Sequence, residues 1–202
     1  MARGGWGLNS LLSIDTSAGT SVAVFGSDCL SLVSFDDPFG HAENIGDALS
    51  RALLDAGIQT SELTGIAVAR GPAPYTGLRV GMAAATSLSK ALDISLFGII
   101  TLDAIAHGQK SQKLLVVTDA KRKELFAATY ESGRRSAGPM LINPSQLGEY
   151  QDFELVQQPS NAQLVGQFAL HALKIGHDIS DLSALYLRSP DVTPSSGKKV
   201  SG

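Results

Sequence analysis

The stretch Arg70-Gly71-Pro72-Ala73-Pro74-Tyr75-Thr76-Gly77-Leu78-Arg79 decides how this chain folds. It follows an apolar run, Gly65-Ile66-Ala67-Val68-Ala69, that reads as a buried strand. It precedes Val80 to Leu92, rich in Ala and Leu, which reads as a helix. The stretch is therefore a strand-to-helix turn, with Thr76 placed as the N-cap. Gly71 and Gly77 allow backbone angles or close approaches that a side chain would block. A glycine-rich turn entering a helix suggests a phosphate cradle, but such cradles use backbone N–H donors, and Pro72 and Pro74 have none. No Gly-Lys-Ser/Thr ending follows, so the turn is not a P-loop. It reads as a proline-braced turn that sets the angle of the next helix.

Working outward, the order of elements is strand-strand-strand-helix-strand-helix-strand. The strands are Leu11–Ile14, Thr20–Phe25, Leu30–Phe35, Gly65–Ala69 and Ser95–Ile100. The first helix runs from about Ala42 to Ala56, with Ile45, Leu49 and Leu53 recurring every four residues and Gly57 placed to stop it. Thr101 is placed to cap a short helix ending near His107. The pattern then restarts. Leu115-Val116-Val117-Thr118-Asp119 echoes Leu11-Leu12-Ser13-Ile14-Asp15, an apolar strand ending in Asp that turns into a second strand, here Glu124–Tyr130. After it come a basic loop at Gly133–Gly138, a short strand at Phe153–Val156 and a helix at Asn161–Gly176 with Leu164, Phe168 and Leu173 inward. A last strand is expected at Leu182–Leu187. This order predicts an α/β fold with mixed sheets: two ribonuclease-H-like lobes of the actin, hexokinase and Hsp70 type, the second shortened. The expected boundaries are a flexible leader at 1–10, an N-terminal lobe at 11–110, a smaller C-terminal lobe at 111–190 and a disordered tail at 191–202.

Composition narrows the function. The 202 residues are 44% hydrophobic and 17% charged, which supports real cores rather than disorder. The net charge of −3 lacks the basic surplus of a strong stand-alone nucleic-acid binder. A single cysteine, Cys29, excludes an internal disulfide, fits a reducing cytoplasm and reads as packing. No run approaches the roughly 20 apolar residues of a membrane span. The leader lacks the apolar core of a signal peptide.

Five segments, in order from about Leu11 to Arg188, resemble one family, bacterial TsaB, also called YeaZ. Leu12-Ser13-Ile14-Asp15-Thr16-Ser17 resembles its opening strand and turn, and His41-Ala42-Glu43 the start of its first helix. Gly71 to Arg79 resembles its Gly-Pro-Gly-Ser-Phe-Thr-Gly-Val/Leu-Arg signature, with Ala73, Pro74 and Tyr75 replacing Gly, Ser and Phe. Asp119-Ala120-Lys121-Arg122-Lys123-Glu124 resembles its Asp-Ala-Arg-Arg-x-Glu hairpin, and Tyr186-Leu187-Arg188 its Tyr-Leu-Arg. The signature-turn residues carried over are Gly71, Pro72, Tyr75, Thr76, Gly77 and Arg79.

The resemblance implies a non-catalytic partner of TsaD, a paralogue that carries the transfer chemistry and the metal. Together with TsaE, an ATPase, they make threonylcarbamoyladenosine beside the anticodon of tRNAs that read codons starting with A. It also implies pairing through helices of the first lobe, contact with tRNA through the complex and no cofactor of its own, and it leaves both a homodimer and a monomer open when the chain is alone.

The residues agree with a scaffold. TsaD-like sites place His-x-x-x-His on the first helix, but four residues after His41 stands Ile45. His107, His171 and His177 have no ligand spacing with His41, so no metal is expected, and His41 and Glu43 read as positioning the helix start. Asp15 and Ser17 resemble a vestigial phosphate turn, and Asp119 a relic of its counterpart. No Gly-Gly adenosine loop follows; the one Gly-Gly is Gly4-Gly5. No Ser-His-Asp arrangement has local support. The alternatives are an ATP-dependent phosphotransferase of the sugar-kinase group and, below it, a metallopeptidase.

Lys121, Arg122 and Lys123 with Arg134 and Arg135 read as the main basic cluster, a solvated face or a contact for RNA or TsaE. The helix from Leu78 to Leu92 is apolar on two rows: Leu78, Met82, Ala85 and Leu92, and Gly81, Ala84, Leu88 and Ala91. A helix apolar on most sides is buried on most sides. One row can cover its own sheet; the other, with Ala84 favoured, needs a neighbour. The expected partner seam is Ile45, Leu49, Leu53, Gly81, Met82, Ala84 and Leu88.

Overall fold

The computed structural model describes residues 9–37 and 39–188, so all but Asn9 and Ser10 of the expected leader, and the whole expected tail, lie outside the described residues. Two sheets form. The first contains β1 (Leu11–Asp15), β2 (Thr20–Phe25), β3 (Cys29–Phe35), β4 (Gly65–Ala69) and β5 (Ser95–Ile99) in the order β3-β2-β1-β4-β5. Strand β1 pairs antiparallel with β2 and parallel with β4. It sits at the centre and every residue in it is buried, including the polar Ser13 and Asp15, so it shows no exposed–buried alternation.

Helices α1 (His41–Ala56) and α2 (Tyr75–Leu92) cover one face of this sheet. Their Ala48, Ala52 and Ala85 meet Leu12, Ile14, Val22 and Val24. The left-handed Gly57 ends α1 as expected, its N–H reaching back to the last turn. The opposite face is covered by α4 (Ala162–Ile175), which follows the second sheet in sequence but packs on the first.

The second sheet contains β6 (Lys113–Asp119), β7 (Leu125–Glu131), β8 (Arg134–Ile142) and β9 (Glu154–Gln157) in the order β8-β7-β6-β9. It repeats the first without a fifth strand, and the crossover helix between its third and fourth strands shrinks to the 3-10 segment Pro144–Tyr150. The repeat extends to the turns. Asp15 pairs across its hairpin with Ser21, and Asp119 with Leu125, so both Asp residues open loops of the same length. The ribonuclease-H-like lobe is thus present twice, the second time shortened, as the sequence echo predicts. Helix α3 (Thr101–His107) follows the first sheet yet buries Leu102 and Ile105 against the second, and α3 packs on α4.

Four local expectations are corrected. Gly133–Gly138 is not a loop: Arg134 begins β8, an edge strand whose backbone ladder with β7 forms without any apolar alternation. Leu182–Leu187 forms no strand. This segment instead makes one backbone–backbone hydrogen bond to the rest of the chain among the described residues, the Leu185 N–H donating to the Arg70 carbonyl at 2.7 Å. Helix α2 begins at Tyr75 with Pro74 at its N-cap and no side-chain cap, so Thr76 lies inside the first turn rather than capping it. In α4 the buried residues are Ala162, Val165, Gly166, Ala169 and Ala172; Leu164, Phe168 and Leu173 pack only at the flanks. The reason is close approach. A Cβ on Gly166 would lie 2.1 Å from the Phe25 ring, so only small side chains fit between this helix and the sheet.

Candidate functional site

The turn after β4 is held from three sides. The Arg70 N–H donates to the Ile99 carbonyl at 2.8 Å, and the Thr101 N–H to the Gly71 carbonyl at 2.9 Å. Gly71 has φ +102°, and a Cβ there would lie 2.7 Å from the Leu185 carbonyl oxygen, so glycine is required twice over. Pro72 and Ala73 are buried, and the turn delivers Tyr75 and Thr76 to the surface at the start of α2.

That start is clamped to the Asp15-Thr16-Ser17 turn. The Thr16 hydroxyl donates to the Gly77 carbonyl at 2.8 Å. A Cβ on Gly77 would lie 2.5 Å from the Thr16 carbonyl oxygen and 2.6 Å from His41 Nε2. A Cβ on Gly81 would lie 2.3 Å from the Thr16 hydroxyl. Gly81 is therefore removed from the expected partner seam; it is where α2 touches the turn between β1 and β2. His41 is buried, with Nδ1 3.0 Å from the Thr20 hydroxyl, and it fixes the first residue of α1 against β2 and α2. That is the positioning role expected of it.

Between the two lobes lies a cleft of about 710 Å³, bordered by Thr16 and Ser17, the turn from Pro72 to Gly77, Thr101, and Thr118, Asp119 and Lys121 of the second lobe. The sequence repeat thus faces itself across the cleft. In the first lobe the Ser17 N–H donates to Asp15 Oδ1 at 2.8 Å; in the second the Lys121 N–H donates to Asp119 Oδ1 at 2.7 Å. Asp119 Oδ2 also holds the Lys121 ammonium at 2.9 Å, and these bonds keep its carboxyl below the usual aspartate range.

Ser17, Thr101 and Ser160 border the cleft, and their hydroxyls are buried without a hydrogen-bond partner. Asp15 Oδ2, at the end of β1 and not on the cleft border, is likewise buried and unpartnered. Thr101 was expected to cap α3, but Ile100 holds that position and the Thr101 hydroxyl goes unbonded. Thr101 and Ser160 are site residues that sequence patterns do not reveal, because each stands at the mouth of an element whose position only the packing sets. The cleft border offers these hydroxyls and the Asp119 carboxylate. Among the described residues, no three His, Cys, Asp or Glu side chains form a group that could hold a metal ion.

The basic cluster divides in two. Lys121, Arg122 and Lys123 stand at one end of β7, while Arg134 and Arg135 follow its other end, about 20 Å away at the strand's rise per residue. Arg135 turns inward, 3.5 Å from Asp103 Oδ1, which also accepts the Tyr130 hydroxyl at 2.7 Å. Burial pushes the Asp103 carboxyl up despite these bonds, and burial with Asp103 beside it raises Tyr130. Arg135 is thus paired with Asp103 rather than a free cation.

On the α1–α2 face, Ile45, Leu49, Leu53, Met82 and Leu88 are partly buried around the first core, and Ala84 is half-buried. Leu54 is 79% exposed.

The pattern of the family described as TsaD, tRNA N6-adenosine threonylcarbamoyltransferase, matches residues 39–184. The chain belongs to this family, on its TsaB (YeaZ) branch. It is 35% identical to an uncharacterized protein of Mycobacterium leprae over 93% of this chain and 57% of that protein. It is 32% identical to the tRNA threonylcarbamoyladenosine biosynthesis protein TsaB of Buchnera aphidicola, over 59% of this chain and 60% of that protein. The chain thus spans a little over half the length of these two relatives. The solved YeaZ from Pseudomonas aeruginosa superposes with a TM-score of 0.72 over 89% of this chain and all of that one, at 20% identity, a likeness of fold. In this TsaB-branch chain the signature turn carries Ala73, Pro74 and Tyr75, and its buried contacts to Thr16, His41 and Leu185 make it structural on the inside, with Tyr75 and Arg79 presented outside.

Proposed function

We propose that this chain is a non-catalytic scaffold subunit of tRNA threonylcarbamoyladenosine biosynthesis. It pairs with a TsaD-like paralogue, works with a TsaE-like ATPase, and so serves modification of the adenosine beside the anticodon in tRNAs reading codons that start with A. Family membership supports the pathway. The observation that carries the scaffold role is the α1–α2 face. Its apolar side chains Ile45, Leu49, Leu53, Met82 and Leu88 are half-covered by their own core, and Ala84 stands beside them without bulk. Such a face gains by covering what remains in water, about 25 cal/mol per Å² of apolar surface. The same face pairs two copies when the paralogue is absent. The assembly is cytoplasmic, in keeping with tRNA modification, and none of the described helices is long and apolar enough to cross a membrane.

The test is co-expression with the TsaD-like protein of the same organism. Co-elution as one complex, with modified tRNA formed only when both are present, supports the reading; separate elution rejects it. The second reading, an ATP-dependent phosphotransferase, draws on the unpartnered Asp15 Oδ2 and on the unpartnered Ser17 hydroxyl that borders the cleft. ATP turnover by the isolated chain that is lost in Asp15→Ala would favour it over the scaffold.

A further inference from the structure

Three segments far apart in sequence converge beside the cleft: the start of α2, the β6–β7 hairpin and Tyr186-Leu187-Arg188. They wall a recess of about 200 Å³. On its α2 side the Arg79 guanidinium lies 4.1 Å from the centre of the Tyr75 ring. The Tyr186 ring lies 4.7 Å from Tyr75, tilted by 36°, and Arg79 Nε donates to the Tyr186 hydroxyl at 3.4 Å. The result is a layered stack of guanidinium and two aromatic rings, with Arg79 exposed.

The hairpin side is basic and strained. Lys121, Arg122 and Lys123 have φ of 62°, 55° and 62°, three successive side-chain-bearing residues in the left-handed region. That conformation costs roughly 1–2 kcal/mol per residue, and it persists where neighbouring structure enforces it, commonly at binding sites. Here the enforcement comes from Asp119, which accepts the Lys121 N–H, and from Arg188, whose Nη1 donates to the Ala120 carbonyl at 3.1 Å. Arg188 is itself paired with Glu124. Lys121, Arg122 and Arg188 line the recess; Arg79 stacks on its Tyr75 wall, Lys123 follows Arg122 in the hairpin, and the carboxylates of Asp119 and Glu124 pair with Lys121 and Arg188.

Cations alone would suit any acidic partner. A planar guanidinium layered on aromatic rings beside them suits a ligand that is itself planar and anionic along its backbone. Unpaired RNA has that chemistry: its bases stack on aromatic rings and on Arg planes, and its phosphates follow lysines. We propose that this recess binds an unpaired segment of RNA, with a base on the Arg79–Tyr75–Tyr186 layer and the adjoining phosphates on Lys121 and Lys123. This goes beyond the scaffold reading, in which the chain meets RNA through its paralogue, and it does not depend on that pairing.

The test uses the full chain with no partner protein. Fluorescence anisotropy follows a short unstructured RNA and a perfectly paired RNA duplex across a salt series. The expected result is binding of the unpaired RNA in preference to the duplex, weakening as salt rises. Tyr186→Ala should weaken it about tenfold and leave the salt slope unchanged, while Tyr186→Phe retains it. The double variant Lys121→Ala/Lys123→Ala should weaken it and flatten the salt slope. Arg134→Ala, at the far end of β7, should match the parent. Circular dichroism melting confirms that each variant is folded. Three results overturn the proposal: no binding at low salt, equal losses in Tyr186→Ala and Arg134→Ala, or displacement of the RNA by polyglutamate as efficient as by unlabelled RNA. The last would mark an acidic protein as the occupant. Loss of pairing with the TsaD-like protein leaves this proposal standing, and loss of RNA binding leaves the scaffold standing.

Discussion

The rings of His107 and His171 lie 4.4 Å apart between centres, tilted by 37°. His107 belongs to α3 and His171 to α4, so the pair joins a helix that packs on the second sheet to one that packs on the first. Phe168 meets His107 edge-on at 5.7 Å and His177 at 6.2 Å, so three of the chain's four histidines gather at this junction.

This junction should respond to pH. Partial burial, and secondarily the charge of His171, hold His107 below the ordinary histidine value of 6.5. The unfolded chain then takes up the proton more readily than the folded one. The contribution to stability is complete above about pH 6.5 and is lost as pH falls through the lower folded value. The expected outcome is a melting temperature that drops between neutral and mildly acidic pH, with a smaller drop in His107→Gln than in the parent. Both side chains are partly in water, so the effect is modest. Differential scanning fluorimetry across pH reads it; parallel profiles for parent and His107→Gln would remove the pair as a cause.

Glycines on two faces of the α1–α2 layer should behave oppositely. Gly77→Ala places a methyl against the Thr16 carbonyl and His41, which forces the backbone apart and costs about 1–3 kcal/mol. Gly46, on the solvent side of α1, has no atom within 4 Å of such a methyl. Gly46→Ala should stabilise by about 1 kcal/mol from helix propensity. Urea denaturation of both variants checks the contrast, and similar effects of the same sign would contradict it.

Thr76 is exposed within the first turn of α2 and makes no cap bond. Thr76→Val should therefore change stability by less than about 0.5 kcal/mol, not by the 1 kcal/mol or so expected of a lost N-cap. A midpoint shift of the larger size would restore the capping role.

The partner face is probed by Met82→Glu, Ala84→Glu and Leu49→Glu. Met82 packs against the first core, so a carboxylate there should destabilise the monomer by about 1–3 kcal/mol. Ala84, half-buried with no core contact of its own kind, should accept Glu with an unchanged melting transition and lose association with the TsaD-like protein and with a second copy. Leu49 should show both effects. Melting curves with size-exclusion chromatography separate them. If Ala84→Glu folds and still associates, the seam lies elsewhere.

Much of the first lobe was legible because its signals are local. The fully buried β1 and the all-apolar β4 mark central strands. The four-residue recurrence of Ile45, Leu49 and Leu53 marks α1, and Gly57 its end. The Asp-initiated turns at Asp15 and Asp119 exposed the duplication. The second lobe was less legible. Strand β8 carries Arg134, Arg135, Ser136 and Gly138 because an edge strand needs backbone partners more than buried side chains. Local pattern also put Leu164, Phe168 and Leu173 inward on α4, where size favoured them, while the tight approach to Phe25 selected alanines and Gly166.

By itself the sequence determined the strands of the first lobe, the duplicated Asp turns, the strand-to-helix turn at Gly71–Gly77 and the family to which these belong, since each is written in neighbouring residues and in the backbone freedoms they allow. Only the tertiary structure decided which face each helix presents, that Gly81 touches Thr16 rather than a partner, that the basic residues divide between two ends of β7, and that Tyr186 stacks on Tyr75. Those relations join residues up to 111 positions apart. They arise from close packing between elements, whose distances are set by the volumes of all the side chains between them and not by any one stretch of chain.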